Sequence, residues 1–269
     1  MDNRPIAVLD SGMGSLSIIK SLRTKIPNES IVYLADRAHY PYGKKTKEQL
    51  KLIIIRAVKY LEKFDPKVII VASITPSIQV LKECKLHTNI PIFGVYPNID
   101  DAVVLSKTKF IAMLATEGTI ESNVLDDYIK PYITTTKIIK VNASAMIDLV
   151  ESGKFLENDK IVKEVIINNT ESIKSQPRTD VIILGSTHLP FIKKHITNIY
   201  PQVQLVDPAI YTVEQVKTYL QHRNSTAQNK WNVNILVSKN KQQFEKIMRS
   251  LGINEKIEEI KLDFKIDGF

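Results

Sequence analysis

Two short stretches of this chain are near copies of one another. Around Ser73 the sequence reads VIIVASITPS, and around Ser186 it reads VIILGSTHLP. Each is a continuous apolar run, then a small residue, then serine, then a helix start. Continuous rather than alternating apolar runs of this length suit strands buried on both faces, as in parallel sheets. A chain with two such elements can build a paired site, one half from each copy, that addresses a small molecule from two opposite faces.

The repeat extends further. IAVLDSGMGS, from Ile6, has a counterpart in IAMLATEGTI, from Ile111, and one serine loop follows each. Strands are predicted at Ile6–Leu9, Ser30–Leu34, Val68–Val71, Ile92–Gly94, Phe110–Leu114, Lys137–Val141, Val181–Leu184 and Val203–Val206. Amphipathic helices are predicted between them, most clearly over Thr46–Lys63, where Leu50, Ile53, Ile54, Ala57, Val58 and Leu61 share one face. Alternating short strands and longer helices specify α/β architecture. The repeat points to two pseudo-symmetric parallel-sheet lobes with a cleft between them. The competing reading is that α/β proteins reuse strand-to-loop patterns by chance. Helices are also expected over Val162–Ile173 and Thr212–Gln221. After a polar stretch from Gln221 to Lys230 come a strand (Val233–Val237), a helix (Gln242–Leu251) and a last strand (Ile257–Leu262), too small a set to stand alone.

With 269 residues, 25% charged and 43% hydrophobic, the chain has the composition of a soluble globular protein. No apolar run approaches the roughly 20 residues of a membrane helix. The first residues lack a signal-peptide layout, so a cytoplasmic location is expected. The net charge is +8, but the lysines are scattered without an aromatic-and-basic stripe, which argues against nucleic acid. A lysine-rich solvated surface is expected, compatible with small anionic ligands. A single cysteine, Cys84, rules out an internal disulfide, and the dispersed histidines give no metal motif.

Several loops at predicted strand ends carry chemistry-bearing groups. Asp10-Ser11-Gly12-Met13-Gly14 offers a tight turn and a helix start that favours an anion, though Asp10 is equally readable as a helix cap. Asp36 followed by Pro41-Tyr42-Gly43 reads as a turn. Thr116-Glu117-Gly118-Thr119 presents hydroxyls suited to a carboxylate, or ordinary caps. Ser186-Thr187-His188 raises a Ser–His–Asp hydrolase. Against that stand the missing G-x-S-x-G pattern and the sequence proximity of serine and histidine.

Taken in order, these loops resemble the cofactor-independent glutamate racemases of the aspartate/glutamate racemase superfamily, from Ile6 to about Pro208. The similarity rests on Asp10-Ser11-Gly12, Asp36 with Pro41-Tyr42-Gly43, Val71–Thr75, Ala115–Thr119, Leu149-Val150-Glu151, Gly185–Pro190 and Asp207. The resemblance implies a first lobe over residues 1–97 with the C-terminal segment 208–269 docked on it, and a second lobe over 98–207. It implies a small acidic amino acid or dicarboxylate as ligand, no cofactor, no metal and a homodimer. In that family two cysteines exchange the Cα proton from opposite faces. Carried over, the catalytic positions are Ser73 and Ser186, with Asp10 assisting the first and His188 and Glu151 the second. Ser11, Asp36, Pro41, Tyr42, Gly43, Ile74, Thr75, Thr116, Thr119 and Thr187 fall on substrate-binding positions.

The departures are chemical. Both family cysteines are serine here, and the asparagine that follows the first is Ile74. A thiol titrates near about 8.5, whereas a serine hydroxyl is essentially never ionised without a strong adjacent base. Weak or no racemase turnover is therefore expected, with a binding protein that keeps the cleft as the alternative. Two origins are open: the tidy pairing of the serines favours a Cys-to-Ser change made to trap substrate, whereas Ile74, which such a change would have left as asparagine, tips the balance slightly to a natural divergent member.

Overall fold

A computed structural model of the chain describes residues 2–227 and 232–262. Part of the expected polar linker, at 228–230, and the last seven positions of the expected C-terminal segment lie outside the described residues.

Among the described residues, ten strands form two sheets. The first contains β1 (Ile6–Asp10), β2 (Ile31–Ala35), β3 (Val68–Val71) and β4 (Ile92–Gly94). The second contains β5 (Phe110–Ala115), β6 (Lys137–Asn142), β7 (Val181–Gly185) and β8 (Gln204–Val206). The last two strands, β9 (Val233–Val237) and β10 (Ile257–Glu259), extend the first sheet. Every pairing is parallel. The first sheet runs β10-β9-β2-β1-β3-β4 and the second β6-β5-β7-β8. The order β2-β1-β3-β4 thus recurs as β6-β5-β7-β8, so the sequence repeat is a repeat of topology. Each strand of the central pairs, β1 with β3 and β5 with β7, ends in one of the singled-out loops, where open parallel sheets bind ligands.

The continuous apolar runs are buried on both faces. Val8, Ile70, Leu114 and Ile183 are all fully inaccessible to solvent. The helix Lys47–Leu61 buries the six residues of its predicted apolar face. Thr46 caps it: its Oγ1 accepts from the Gln49 amide and the Gln49 side chain accepts from the Thr46 amide. The helix Pro208–His222 begins four residues earlier than its periodicity indicates, because Asp207 caps it and Pro208 suits its first turn. It packs against the helix Leu16–Lys25 and returns the chain to the first sheet, where β9 pairs with β2.

Two expected elements are altered. The helix expected over Val162–Ile173 is broken into Asp159–Asn169 and Glu171–Lys174. Thr170 sits at the break, its Oγ1 donating to the Ile166 carbonyl and meeting the Tyr200 hydroxyl, a local bond that competes with the helix ladder. The last strand stops at Glu259 rather than Leu262.

A buried ion pair pins the first sheet together. Lys67 and Glu29 contact each other with both side chains 2% exposed. Lys67 Nζ also donates to the carbonyls of Asp2 and Ser225, and Glu29 Oε1 accepts from the Ala227 amide. Cys84 is buried, and burial pushes its thiol up to about 11, which keeps it protonated and inert. No helix among the described residues is long and apolar enough to cross a membrane.

Candidate active site

The loops after β1, β3, β5 and β7 meet around one small cavity of about 40 Å³. From the first lobe it is lined by Asp10, Ser11, Tyr40, Pro41, Tyr42, Gly43, Ser73, Ile74 and Thr75. From the second come Thr116, Ile147, Gly185, Ser186, Thr187 and His188. The two serine loops touch: Thr187 Oγ1 donates to the carbonyl of Ala72, the residue before Ser73, at 3.3 Å. In this conformation the cavity has room for a few water-sized groups.

Ser73 and Ser186 stand in different surroundings. Among the described residues Ser73 Oγ makes no hydrogen bond. Ser186 Oγ lies 3.3 Å from His188 Nδ1 and accepts from the His188 amide at the same distance. On the other side of the ring, His188 Nε2 meets Glu151 Oε2 at 2.9 Å. Glu151 ends the helix Ser144–Glu151 and is itself held from the first lobe. Its Oε2 accepts from the Met13 amide at 2.8 Å, and its Oε1 pairs with the buried Arg37 guanidinium. Burial works against the charge of Glu151, but His188, Arg37 and the Met13 amide outweigh it and hold the carboxyl below its ordinary range.

Asp10 behaves oppositely. Complete burial pushes its carboxyl up to about 7, against the pull of His188 and of the Ser11 and Ser15 amides that donate to it. It therefore titrates in the neutral range. The helix that follows starts only at Leu16, so Asp10 organises the intervening loop rather than occupying the cap position itself.

The glycines of that loop serve close approach. A Cβ on Gly12 would lie 2.4 Å from Glu151 Oε2, and one on Gly14 2.4 Å from Thr187 Oγ1 and 2.5 Å from His188 Nδ1. Neither glycine has a positive φ. The sequence suggested a tight turn at these positions; in the fold they let backbone of the first lobe press against side chains of the second.

Three expected site residues lie outside the cavity lining. Asp36 is fully buried behind Tyr42, accepting from the Tyr42 hydroxyl at 3.1 Å and from Ser238 Oγ at 3.2 Å, with His39 Nδ1 at 2.8 Å. Thr119 sits behind the wall, its hydroxyl 2.9 Å from those of Thr75 and Thr116. Glu151 reaches the cavity only through His188. Conversely, Tyr40 and Ile147 line the cavity and were not singled out from the sequence, nor was Arg37. Ile147 had a findable signal, lying one helical turn before Glu151 on the same face.

The family model for Asp/Glu/Hydantoin racemase matches residues 14–216. The chain belongs to the Asp/Glu/hydantoin racemase family. It is 35% identical over 233 residues to a glutamate racemase of Limosilactobacillus reuteri, covering 85% of each chain. It is 32% identical over 224 residues to one from Streptococcus thermophilus, covering 82% of this chain and 81% of that one. Among solved structures, a glutamate racemase isoform from Bacillus anthracis superimposes with a TM-score of 0.87 at 26% identity, covering 97% of this chain and 99% of that one. The glutamate racemase of Francisella tularensis, in complex with D-glutamate, does so at 0.84 and 26%, covering 98% and 99%. The two-lobed parallel-sheet architecture is the racemase-family fold.

Proposed function

We propose that this chain binds glutamate or a closely related acidic amino acid between its lobes, as a glutamate-racemase-type protein with Ser73 and Ser186 at the two proton-transfer positions. The observation that carries this reading is the convergence of both serine loops on one cavity, joined by the Thr187–Ala72 hydrogen bond. Ser11, Thr75, Thr116 and Thr187 surround that cavity with hydroxyls suited to a carboxylate. No cofactor enters the reaction on this reading. Cα proton transfer is slow or absent, because neither hydroxyl ionises as a thiol does. Incubation with L- or D-glutamate in deuterated water tests it. Slow deuterium incorporation at Cα supports residual proton transfer.

A second reading is a binding protein that keeps the cleft without turnover. The hydroxyls of Thr75 and Thr116 on the cavity wall favour it, since such a wall binds a carboxylate whether or not a proton moves. Absence of exchange together with a glutamate-dependent rise in melting temperature selects this reading. Absence of both effects with every acidic amino acid sinks both readings. We further place the chain in the cytoplasm and as a homodimer, the latter open to light scattering on purified protein.

A further inference from the structure

We infer that Ser186, His188 and Glu151 form a nucleophile, its base and the carboxylate that positions the base, able to accept an acyl group from a small ester or thioester. This activity is separate from Cα proton transfer and stands or falls without it. The sequence alone argued against a hydrolase because serine and histidine two residues apart seldom meet productively. Here they do, through the proximal ring nitrogen: Nδ1 is the one that faces Ser186 Oγ, at 3.3 Å. That is at the loose end of hydrogen-bond reach, as is common before substrate binds.

The tautomer follows from the partners. Glu151 is held as a carboxylate by Arg37 and the Met13 amide, so the Nε2 facing it carries a proton. Whenever the ring holds a single proton, that proton sits on Nε2 and the Nδ1 lone pair accepts from the hydroxyl. All three residues are more than nine-tenths buried, so water competes little for these bonds. Ser186 follows a strand directly, and Gly185 before it has no room for a side chain: a Cβ there would lie 2.5 Å from the Leu114 carbonyl oxygen. The serine is thus presented on a tight strand-to-helix corner. Thr187 follows, and the amide after a nucleophile is a common oxyanion donor at such corners. Among the described residues no imidazole is hydrogen-bonded to Ser73 Oγ in the same cavity.

The step balances without a further reagent. Ser186 Oγ bonds to the carbonyl carbon as its proton passes to His188 Nδ1. The carbonyl π pair moves to oxygen and returns as the bond to the alkoxide or thiolate leaving group breaks. That group takes the proton from Nδ1. Water then repeats the sequence on the acyl-serine, releasing a carboxylic acid and restoring the hydroxyl. The cavity in this conformation suits a small acyl part.

Methanesulfonyl fluoride is a reagent of suitable size: Oγ bonds to sulfur, fluoride leaves, and the hydroxyl proton passes to Nδ1. Intact mass and peptide mapping are expected to show one methylsulfonyl group, on Ser186 and not on Ser73. The adduct should be lost in Ser186→Ala. In His188→Gln it should form at least about a hundredfold more slowly, the scale of general-base assistance. Hydrolysis of 4-nitrophenyl acetate should fall correspondingly between the unaltered protein and Ser186→Ala, with circular dichroism showing both folded. If His188→Gln fails to fold, the mapping and the Ser186→Ala comparison still decide. No adduct, an adduct elsewhere, or an unchanged rate in a folded His188→Gln protein overturns the proposal.

Discussion

Arg37 of the first lobe pairs with Glu151 of the second, with side chains only 6% and 8% exposed. The guanidinium also lies over the Phe244 ring of the C-terminal helix Lys241–Ser250, 5.2 Å from its centroid. One arginine therefore links the second lobe's carboxylate, the first lobe and the C-terminal segment. Replacing it with methionine keeps the volume but leaves Glu151 short of a charge partner. Arg37→Met is expected to cost roughly 3 kcal/mol, the lower end for breaking a buried pair, because His188 and the Met13 amide remain. Urea denaturation checks this.

The same pair sets an acid limit. Glu151 has a folded-state pKa below its ordinary 4.5, so its contribution is present above that value and is lost as pH falls through the depressed one. In Arg37→Met the depression shrinks. The acid-unfolding midpoint should move to higher pH, measurable by melting temperature across pH 2 to 6, a window set by the ordinary carboxylate range. An unchanged midpoint would mean that Arg37 does not stabilise the charge.

Asp10 gives the opposite slope. Its carboxyl is raised from 3.8 to about 7, so the folded state holds a proton that the unfolded chain has lost. Stability from this group falls as pH rises between those values, by up to roughly 4 kcal/mol at 1.36 kcal/mol per unit. Asp10→Asn should flatten the pH dependence between about 4 and 7. A wild-type slope retained in the variant would assign it to another group.

Gly14→Ala places a methyl against Thr187 and His188, so either the lobes part or the loop shifts. Ligand-induced stabilisation by glutamate should fall at least tenfold in apparent affinity, read by isothermal titration. Unaltered affinity would show that the close approach is dispensable for binding.

Restoring the family pattern with Ser73→Cys, Ile74→Asn and Ser186→Cys should raise Cα exchange of glutamate at least about a hundredfold over the unaltered chain. Proton NMR in deuterated water follows it. No gain would mean that the pocket has diverged beyond those three positions.

The relation of sequence to structure differs by element. The eight strands predicted for the two lobes recur within a residue at either end, and the helix Lys47–Leu61 buries its predicted face. Both signals are local: burial on two faces demands an unbroken apolar run, and burial on one face demands a helical period. The Thr170 break was hidden because a hydroxyl bonding back to Ile166 leaves no trace in hydrophobic spacing.

Residue type and position at a strand end, both local facts, singled out in the sequence the loops that line the cavity. Twelve of the fifteen expected residues line the cavity itself. Only tertiary structure decided how those groups face each other. It set Asp36 and Thr119 behind the wall, brought Arg37 onto Glu151, and gave Ser186 an imidazole that Ser73 lacks. The physical reason is distance along the chain. Arg37 and Glu151 are 114 residues apart, and what brings them together is the packing of two sheets, which no local pattern records.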